Sequence, residues 1–315
     1  MDPTLDPDAV DALGVRPVDL AVMALEAAVQ TAEKGQRPEG VVRCTPAWFA
    51  SVETPRVRGA IERVLMGRHP DAGLDTLLEV GALEALLPEV KAMVGFGDGE
   101  WRHKDVWKHT KQVVLQAVPR TEVRWAALLH DIGKIKTRRI EPNGEVHFFG
   151  HAEVGASMFD RLMRRMPLFK GEEALAESVR FLILHHLRAS QYDPSWTDSA
   201  VRRFAKEMGG CMGDLLDLSR ADITTKRPER KRKGLEAISE LAARVRSIQE
   251  EDARVPPLPK GLGTAISARF GVPPSPALGE LMKRCRDAVE GGDLDAQQPN
   301  DYYLEWLRSV GAVGP

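Results

Sequence analysis

Cysteine is scarce in this 315-residue chain: Cys44, Cys211 and Cys285 stand far apart and are odd in number. They form no Cys-x-x-Cys pair, which excludes a cysteine-built zinc site and a dithiol redox centre and leaves isolated thiols of a reducing compartment. No apolar run approaches the roughly 18 residues that a membrane-spanning helix needs, so no membrane partner is expected. The opening Met-Asp-Pro-Thr-Leu-Asp-Pro-Asp lacks the basic start and apolar stretch of a secretory signal, and the expected location is cytoplasmic. There is no sustained polar–apolar alternation of the kind that specifies a sheet. The formal charge of −2 gives no whole-chain attraction for a polyanion.

What is present is helical. Hydrophobic residues make up 43% and charged residues 29%, with the Leu, Ala, Glu, Arg and Lys content that favours helices, so the expected fold class is all-α. Helical periodicity is found at residues 17–34, 56–66, 71–80, 83–87, 103–118 and 122–129, then at 152–165, 172–187, 198–208, 212–223, 234–250 and 276–290. A break at Gly35, Pro38 and Gly40 closes the first of these, and Thr45-Pro46 reads as a helix start. Residues 137–149 contain Pro142-Asn143-Gly144, a turn signal, and read as a loop with a small hairpin. Six of the eight residues from 226 to 233 are basic (Lys226, Arg227, Arg230, Lys231, Arg232 and Lys233). Such a run suits a phosphate backbone, or forms a solvated turn before a helix.

His130 and Asp131 are neighbours at the end of an apolar helix. Neighbours on a regular helix point about 100° apart, so both reach one ion only where the helix ends, and Gly133 gives the chain freedom to turn there. His109 on the preceding helix and Asp222 on a later one offer a further imidazole and carboxylate. The four together would leave positions open for water and substrate. His151 and His186 are placed to complete a second site, with Asp131 shared between two ions, and Lys134 is suited to a phosphate oxygen. His185 and Arg188 are candidate substrate contacts. A lone histidine is ordinarily structural, and His69, His103 and His147 stay with that reading.

The series His109, His130-Asp131, His151, His186, Asp222, with His-Asp-Ile-Gly-Lys at 130–134, resembles the HD phosphohydrolase superfamily. The resemblance implies an HD helical core in which His109, His130, Asp131 and Asp222 surround one divalent metal while His151 and His186 permit a second. Residues 77–89, 103–110, 150–152, 219–222 and 270–279 extend the likeness to the body of bacterial CCA-adding enzymes and related poly(A) polymerases, over most of residues 46–315. It suggests a helical extension (1–45), a neck-like segment (46–100), the HD metal-binding domain (101–225) and a C-terminal body-like segment (226–315). The Gly-Ser doublet followed by Asp-x-Asp that marks the nucleotidyltransferase head of those enzymes is not found. Without it, CCA or poly(A) addition is not expected.

The residues themselves point to hydrolysis at phosphorus. The resemblance implies a nucleotide or RNA-end phosphate as substrate, with Asp131 and Lys134 as catalytic residues and 2′,3′-cyclic phosphodiesterase or phosphatase chemistry. A histidine-rich donor set favours Mn, Fe, Co or Ni, with Mg possible. The alternative is a non-catalytic tRNA- or RNA-binding protein with a structural metal, whose contacts would be Arg138, Arg139 and the basic residues of 226–233. A third reading has the site act on a small signalling nucleotide, with no RNA partner.

Overall fold

The computed structural model describes residues 15–96, 105–253 and 256–313; the acidic start and His103 lie outside them. The chain divides into two compact units, one through Val245 and one from Arg246. The fold is all-α, as expected. The only sheet among the described residues is a two-stranded antiparallel pair. No described helix is long and apolar enough to cross a membrane.

In the first unit, α1 (Pro17–Lys34) buries an alanine-rich face. It is followed by α2 (Pro46–Phe49), α3 (Thr54–Met66), α4 (Pro70–Glu79), α5 (Ala82–Leu86) and α6 (Pro88–Lys91). Small side chains let α1 and α4 approach closely: a Cβ on Gly73 would stand 2.6 Å from that of Ala32. Helix α7 (Val106–Gln116) starts at Asp105, whose carboxylate accepts the Lys108 N–H at 3.1 Å, satisfying one of the free amides of the first turn.

The unit is organised around α8 (Thr121–Leu129), in which Val123, Trp125 and Ala126 through Leu129 have no exposure. A stretch apolar all round, as residues 125–129 are, must be enclosed. Here α3, α7, α11 (Glu173–His185) and α13 (Met212–Asp222) pack around it. Each large side chain sealed in this way contributes about 1.5–3 kcal/mol, which makes the end of α8 a rigid mount for His130 and Asp131. Between α8 and α11 lie α9 (Lys134–Thr137), the hairpin β1–β2 (Arg139–Ile140, Val146–His147) and α10 (His151–Arg165). The expected turn is present, with Gly144 at φ +82°.

After α12 (Asp198–Met208) and α13, a single helix α14 runs Pro228–Ala253. Periodicity alone puts its start at Gly234. In the structure the proline occupies the first turn, where its missing N–H is harmless; Arg230, Lys231, Arg232 and Lys233 lie in the opening turns, and Lys226 and Arg227 precede them. Gly234 lies inside the helix, where a Cβ would meet Ile223 Cδ1 at 3.0 Å.

The second unit holds α15 (Leu262–Phe270), α16 (Pro276–Glu290) and α17 (Asn300–Ser309) around Leu262, Ile266, Cys285, Tyr303 and Leu307. Helices α15 and α17 are additions to the helices that periodicity marks. At nine and ten residues they present few apolar positions, and tertiary packing rather than propensity sustains helices this short.

Candidate metal centre

The α8 hydrogen-bond ladder ends at His130, whose N–H still reaches Ala126 O at 2.7 Å. The next bonds, Ile132 N–H to Leu129 O at 3.3 Å and Lys134 N–H to Asp131 O at 3.0 Å, span three residues instead of four. This tightening rotates His130 and Asp131 into one space, with Nε2 and Oδ2 3.2 Å apart. Gly133 works differently from the sequence expectation. Its φ of −68° is open to any residue. What demands glycine is α10, because a Cβ at this position would stand 2.0 Å from the His151 carbonyl oxygen.

Three of the converging imidazoles are fixed in the same way. Nδ1 of His130, His151 and His186 lies 2.8 Å from the carbonyl oxygen three residues earlier, of Ala127, Phe148 and Ile183 respectively. A carbonyl only accepts, so each Nδ1 carries the hydrogen, and in the neutral ring Nε2 is a bare lone pair. These Nε2 atoms face each other in pairs, His151 to His186 at 3.1 Å and His130 to His109 at 3.3 Å. In the His151–His186 pair, lone pairs so placed repel unless positive charge lies between them.

Asp131 stands between the pairs. Its Oδ2 is 3.2 Å from His130 and 3.4 Å from His109; its Oδ1 is 3.5 Å from His151 and 4.0 Å from His186. That Oδ1 is buried without a hydrogen-bond partner, a costly state for a carboxylate oxygen that a cation would relieve. Asp222 Oδ1 approaches the first pair at 3.0 Å from His109 and 3.6 Å from His130. Two potential metal groups result, His109–His130–Asp131 and Asp131–His151–His186. Their donor chemistry fits divalent cations.

The electrostatics agree. Burial opposes ionisation of Asp131, yet His130, Lys134 and His109 outweigh it and hold its pKa well below the ordinary carboxylate value. Burial likewise opposes ionisation of Asp222, and the hydrogen bond from His109 with the charge of His130 overcomes it, giving about 2. Burial would lower His130, but the Asp131 carboxylate beside it reverses the sign and raises it. A proton on His130 is therefore the competitor that a cation must displace.

Burial pushes His186 from 6.5 down to about 4 and also lowers His151. With its folded value depressed, His186 stays neutral while the unfolded chain takes up a proton, so stability is lost as pH falls from about 6.5 to about 4. The His186 contribution is on the order of 3 kcal/mol. His130, with the opposite shift, offsets part of it. Chelator-treated protein should thus unfold more easily at pH 4.5 than at pH 7 in denaturant titrations, and His186→Asn should flatten the difference. An unchanged pH slope in that variant would contradict the assignment.

Lys134 Nζ lies 2.6 Å from Asp131 Oδ2 and 5.7 Å from the centre of the Phe148 ring. Its charge rests on the shared carboxylate. His185 joins neither group; it packs on Phe181 at 4.2 Å, and burial, then Arg188, lowers its pKa. Arg188 is ion-paired with Glu207 at 2.6 Å. Arg138 lies over the Phe96 ring at 5.4 Å, and Arg139 is exposed on β1. Lys226, Arg227, Arg230, Lys231, Arg232 and Lys233 are all exposed. Arg232 is held by Glu229 and Glu236, and Lys231 reaches Gln116 Oε1 at 3.4 Å.

Two further residues belong to the site's surroundings. Thr224 Oγ1 is 2.9 Å from His109 Nδ1, and the Gln116 amide donates to Ala221 O at 2.7 Å. Both are long-range contacts made by common polar residues, with no motif to announce them.

Residues 105–216 match the HD domain family; Asp222 lies beyond the matched span. The A-adding tRNA nucleotidyltransferase of Deinococcus radiodurans is 31% identical over 275 residues, 84% of this chain and 60% of that protein. The CC-adding tRNA nucleotidyltransferase of Thermus thermophilus is 30% identical over 262 residues, 80% of this chain and 56% of that protein. The multifunctional CCA protein of Pasteurella multocida is 35% identical over 140 residues, 41% of this chain and 32% of that protein. The chain spans between a half and two thirds of the length of the first two. Two His/Asp groups within an HD domain support a metal-dependent hydrolase acting on a phosphate-containing substrate.

Proposed function

Starting from a chain that carries an HD domain and whose helical body is related to that of tRNA nucleotidyltransferases, we propose that it hydrolyses a nucleotide or RNA-end phosphate ester, as a 2′,3′-cyclic phosphodiesterase or a phosphatase. The observation that carries this is the Asp131 carboxylate, buried, ionised and presenting one oxygen to each pair of Nε2 atoms. His109, His130 and Asp222 would hold one cation and His151 and His186 another, with Asp131 common to both. Divalent cations bound there supply a lowered water pKa and draw charge from a phosphoryl oxygen. Histidine-rich donors favour Mn, Fe, Co or Ni over Mg.

The protein's own part is to fix these donors in place, with Asp131, Asp222, His151 and His186 shifted towards their unprotonated forms. The backbone carbonyls of Ala127, Phe148 and Ile183 lock the tautomer of three rings, so no reorganisation is needed at those positions. Lys134, within reach of the Asp131 oxygen, brings a positive charge for a substrate phosphate. His185 and Arg188 stand near the end of α11 as candidate substrate contacts, although Arg188 must first leave Glu207. The four-segment organisation, with the HD domain at residues 101–225, is part of this proposal.

Metal analysis of freshly purified protein, followed by a screen of cyclic and linear nucleotides with Mn²⁺, Co²⁺, Ni²⁺ and Mg²⁺, tests the reading. Release of phosphate or opening of a cyclic phosphate, abolished by chelator and restored by a transition metal, is the expected result. Metal-loaded protein inert towards every phosphate ester would overturn it. Turnover confined to a small signalling nucleotide would remove the RNA-end assignment alone.

The exposed basic start of α14, together with relatives named for tRNA, favours a second reading: RNA binding with a structural metal. Replacing Lys226, Arg227, Arg230 and Lys233 by Gln should then weaken tRNA binding and reduce the slope of log affinity against log salt by up to about 3. An unchanged low-salt affinity would count against that surface.

A further inference from the structure

His109 differs from the other three imidazoles in one respect. Theirs are oriented by a carbonyl three residues back, a group that can only accept. His109 lies within α7, and its Nδ1 instead meets the hydroxyl of Thr224, 115 positions away, at 2.9 Å. A hydroxyl both donates and accepts, so this contact does not fix the tautomer by itself. On the other side of the ring, Nε2 lies 3.0 Å from Asp222 Oδ1.

Two arrangements satisfy the contact with Thr224. In the first, the Thr224 hydroxyl donates to Nδ1, and Nε2–H donates to Asp222. In the second, Nδ1–H donates to Thr224 Oγ1, and Nε2 is a bare lone pair directed at Asp222 Oδ1, His130 Nε2 and Asp131 Oδ2. Only the second suits a metal ligand. Without a cation, the first is favoured, because it replaces a lone pair facing an anionic carboxylate by a hydrogen bond. Passing from one to the other moves one proton from Nε2 to Nδ1 through solvent and rotates the hydroxyl, with no net proton gained or lost.

We infer that Thr224 is a positioning residue that selects the metal-binding tautomer of His109, so that the site built on His109, His130 and Asp222 is switched on by its cation, whereas the site of His151 and His186 is preset. This rests on the reading of the cluster as a metal centre. The segment carrying Thr224 is itself held to α7. Gln116, seven residues along that helix from His109, donates to Ala221 O at 2.7 Å and Ile223 O at 3.4 Å. The α13 ladder ends at Asp222, and Ile223 at ψ +86° has left the helical conformation. The Gln116 amide thus takes up carbonyls at this helix end and keeps Asp222 and Thr224 in register with His109.

The test uses the full chain with metal ions alone. Imidazole ¹⁵N spectra of chelator-treated protein should show His109 protonated at Nε2 and the other neutral rings at Nδ1. Zn²⁺ titration should transfer the His109 proton to Nδ1. In Co²⁺ binding isotherms, Thr224→Val should weaken one of two sites by about 10–100-fold and leave the other unchanged, and Thr224→Ser should restore wild-type binding. His109 found protonated at Nδ1 before metal is added would overturn the inference, and this measurement needs no variant. So would Thr224→Val binding as tightly as wild type, or Thr224→Ser as weak as Thr224→Val. Wild-type protein that takes up no divalent ion would remove the metal centre and this inference together; two intact sites in Thr224→Val would remove this inference alone.

Discussion

Asp131→Asn should nearly abolish hydrolysis and reduce bound divalent metal, even though the variant keeps nearly the same shape. The wild-type side chain is about 1% exposed and divides its oxygens between the two pairs of imidazoles. Asparagine puts an N–H₂ donor where one of those oxygens stood and removes the anion that both cations would share. The fold should survive. The charges left behind are Lys134, which is part-exposed and can turn to solvent, and the proton of His130, which leaves once the carboxylate that raised its pKa is gone. A loss of roughly 10²–10³-fold or more in turnover is expected from the missing electrostatic stabilisation alone, with metal stoichiometry falling in parallel. Full activity in a purified, metal-loaded Asp131→Asn protein would dismiss the assignment of Asp131 as the shared ligand.

Much of this centre is legible in the chain itself, for a specific reason. His130 and Asp131 announce a helix end, because adjacent side chains on a regular helix cannot serve one ion, and α8 does end there. His109, His151, His186 and Asp222 lie at or near the ends or inner faces of apolar helices, where periodicity points them inward. The helical class follows from composition and the absence of alternation. Other features depend on contacts between distant parts of the chain. Periodicity puts the start of α14 at Gly234, whereas Pro228 begins the helix and Gly234 accommodates Ile223. Arg188 looks available in sequence but is engaged by Glu207. Charge alone assigns Lys134 to phosphate, and its nearest anion is Asp131. Thr224 and Gln116 carry no pattern; only the packing of α7 against the end of α13 gives them a role.

Gly133 shows how the reason for a residue can be misread while its importance is not, and it supplies the second large effect. Were its task to allow a turn, Gly133→Ala would be nearly harmless, because φ of −68° and ψ of −21° are ordinary helical values. The contact geometry demands the opposite. The added methyl would stand 2.0 Å from the carbonyl oxygen of His151 and 2.7 Å from the amide nitrogen of Gly155. Both are backbone atoms of α10, so no side chain can rotate away, and the helix must shift as a body. Overpacking of this kind costs about 1–3 kcal/mol or more. Since α10 carries His151, the shift should also separate His151 from His186 and Asp131. Gly133→Ala should therefore lower the thermal midpoint of chelator-treated protein and weaken the His151–His186 site more than the site at His109. Gly150→Ala is the informative comparison. Its φ of +74° is strained for any side chain, but the nearest atom to a Cβ there is Glu153 Oε2, at 3.8 Å, so it should cost stability through backbone strain without crowding α10. If Gly133→Ala left both melting and Co²⁺ affinity at wild-type values, α10 would not be seated on Gly133 as described, and the placement of His151 in the centre would lose its support.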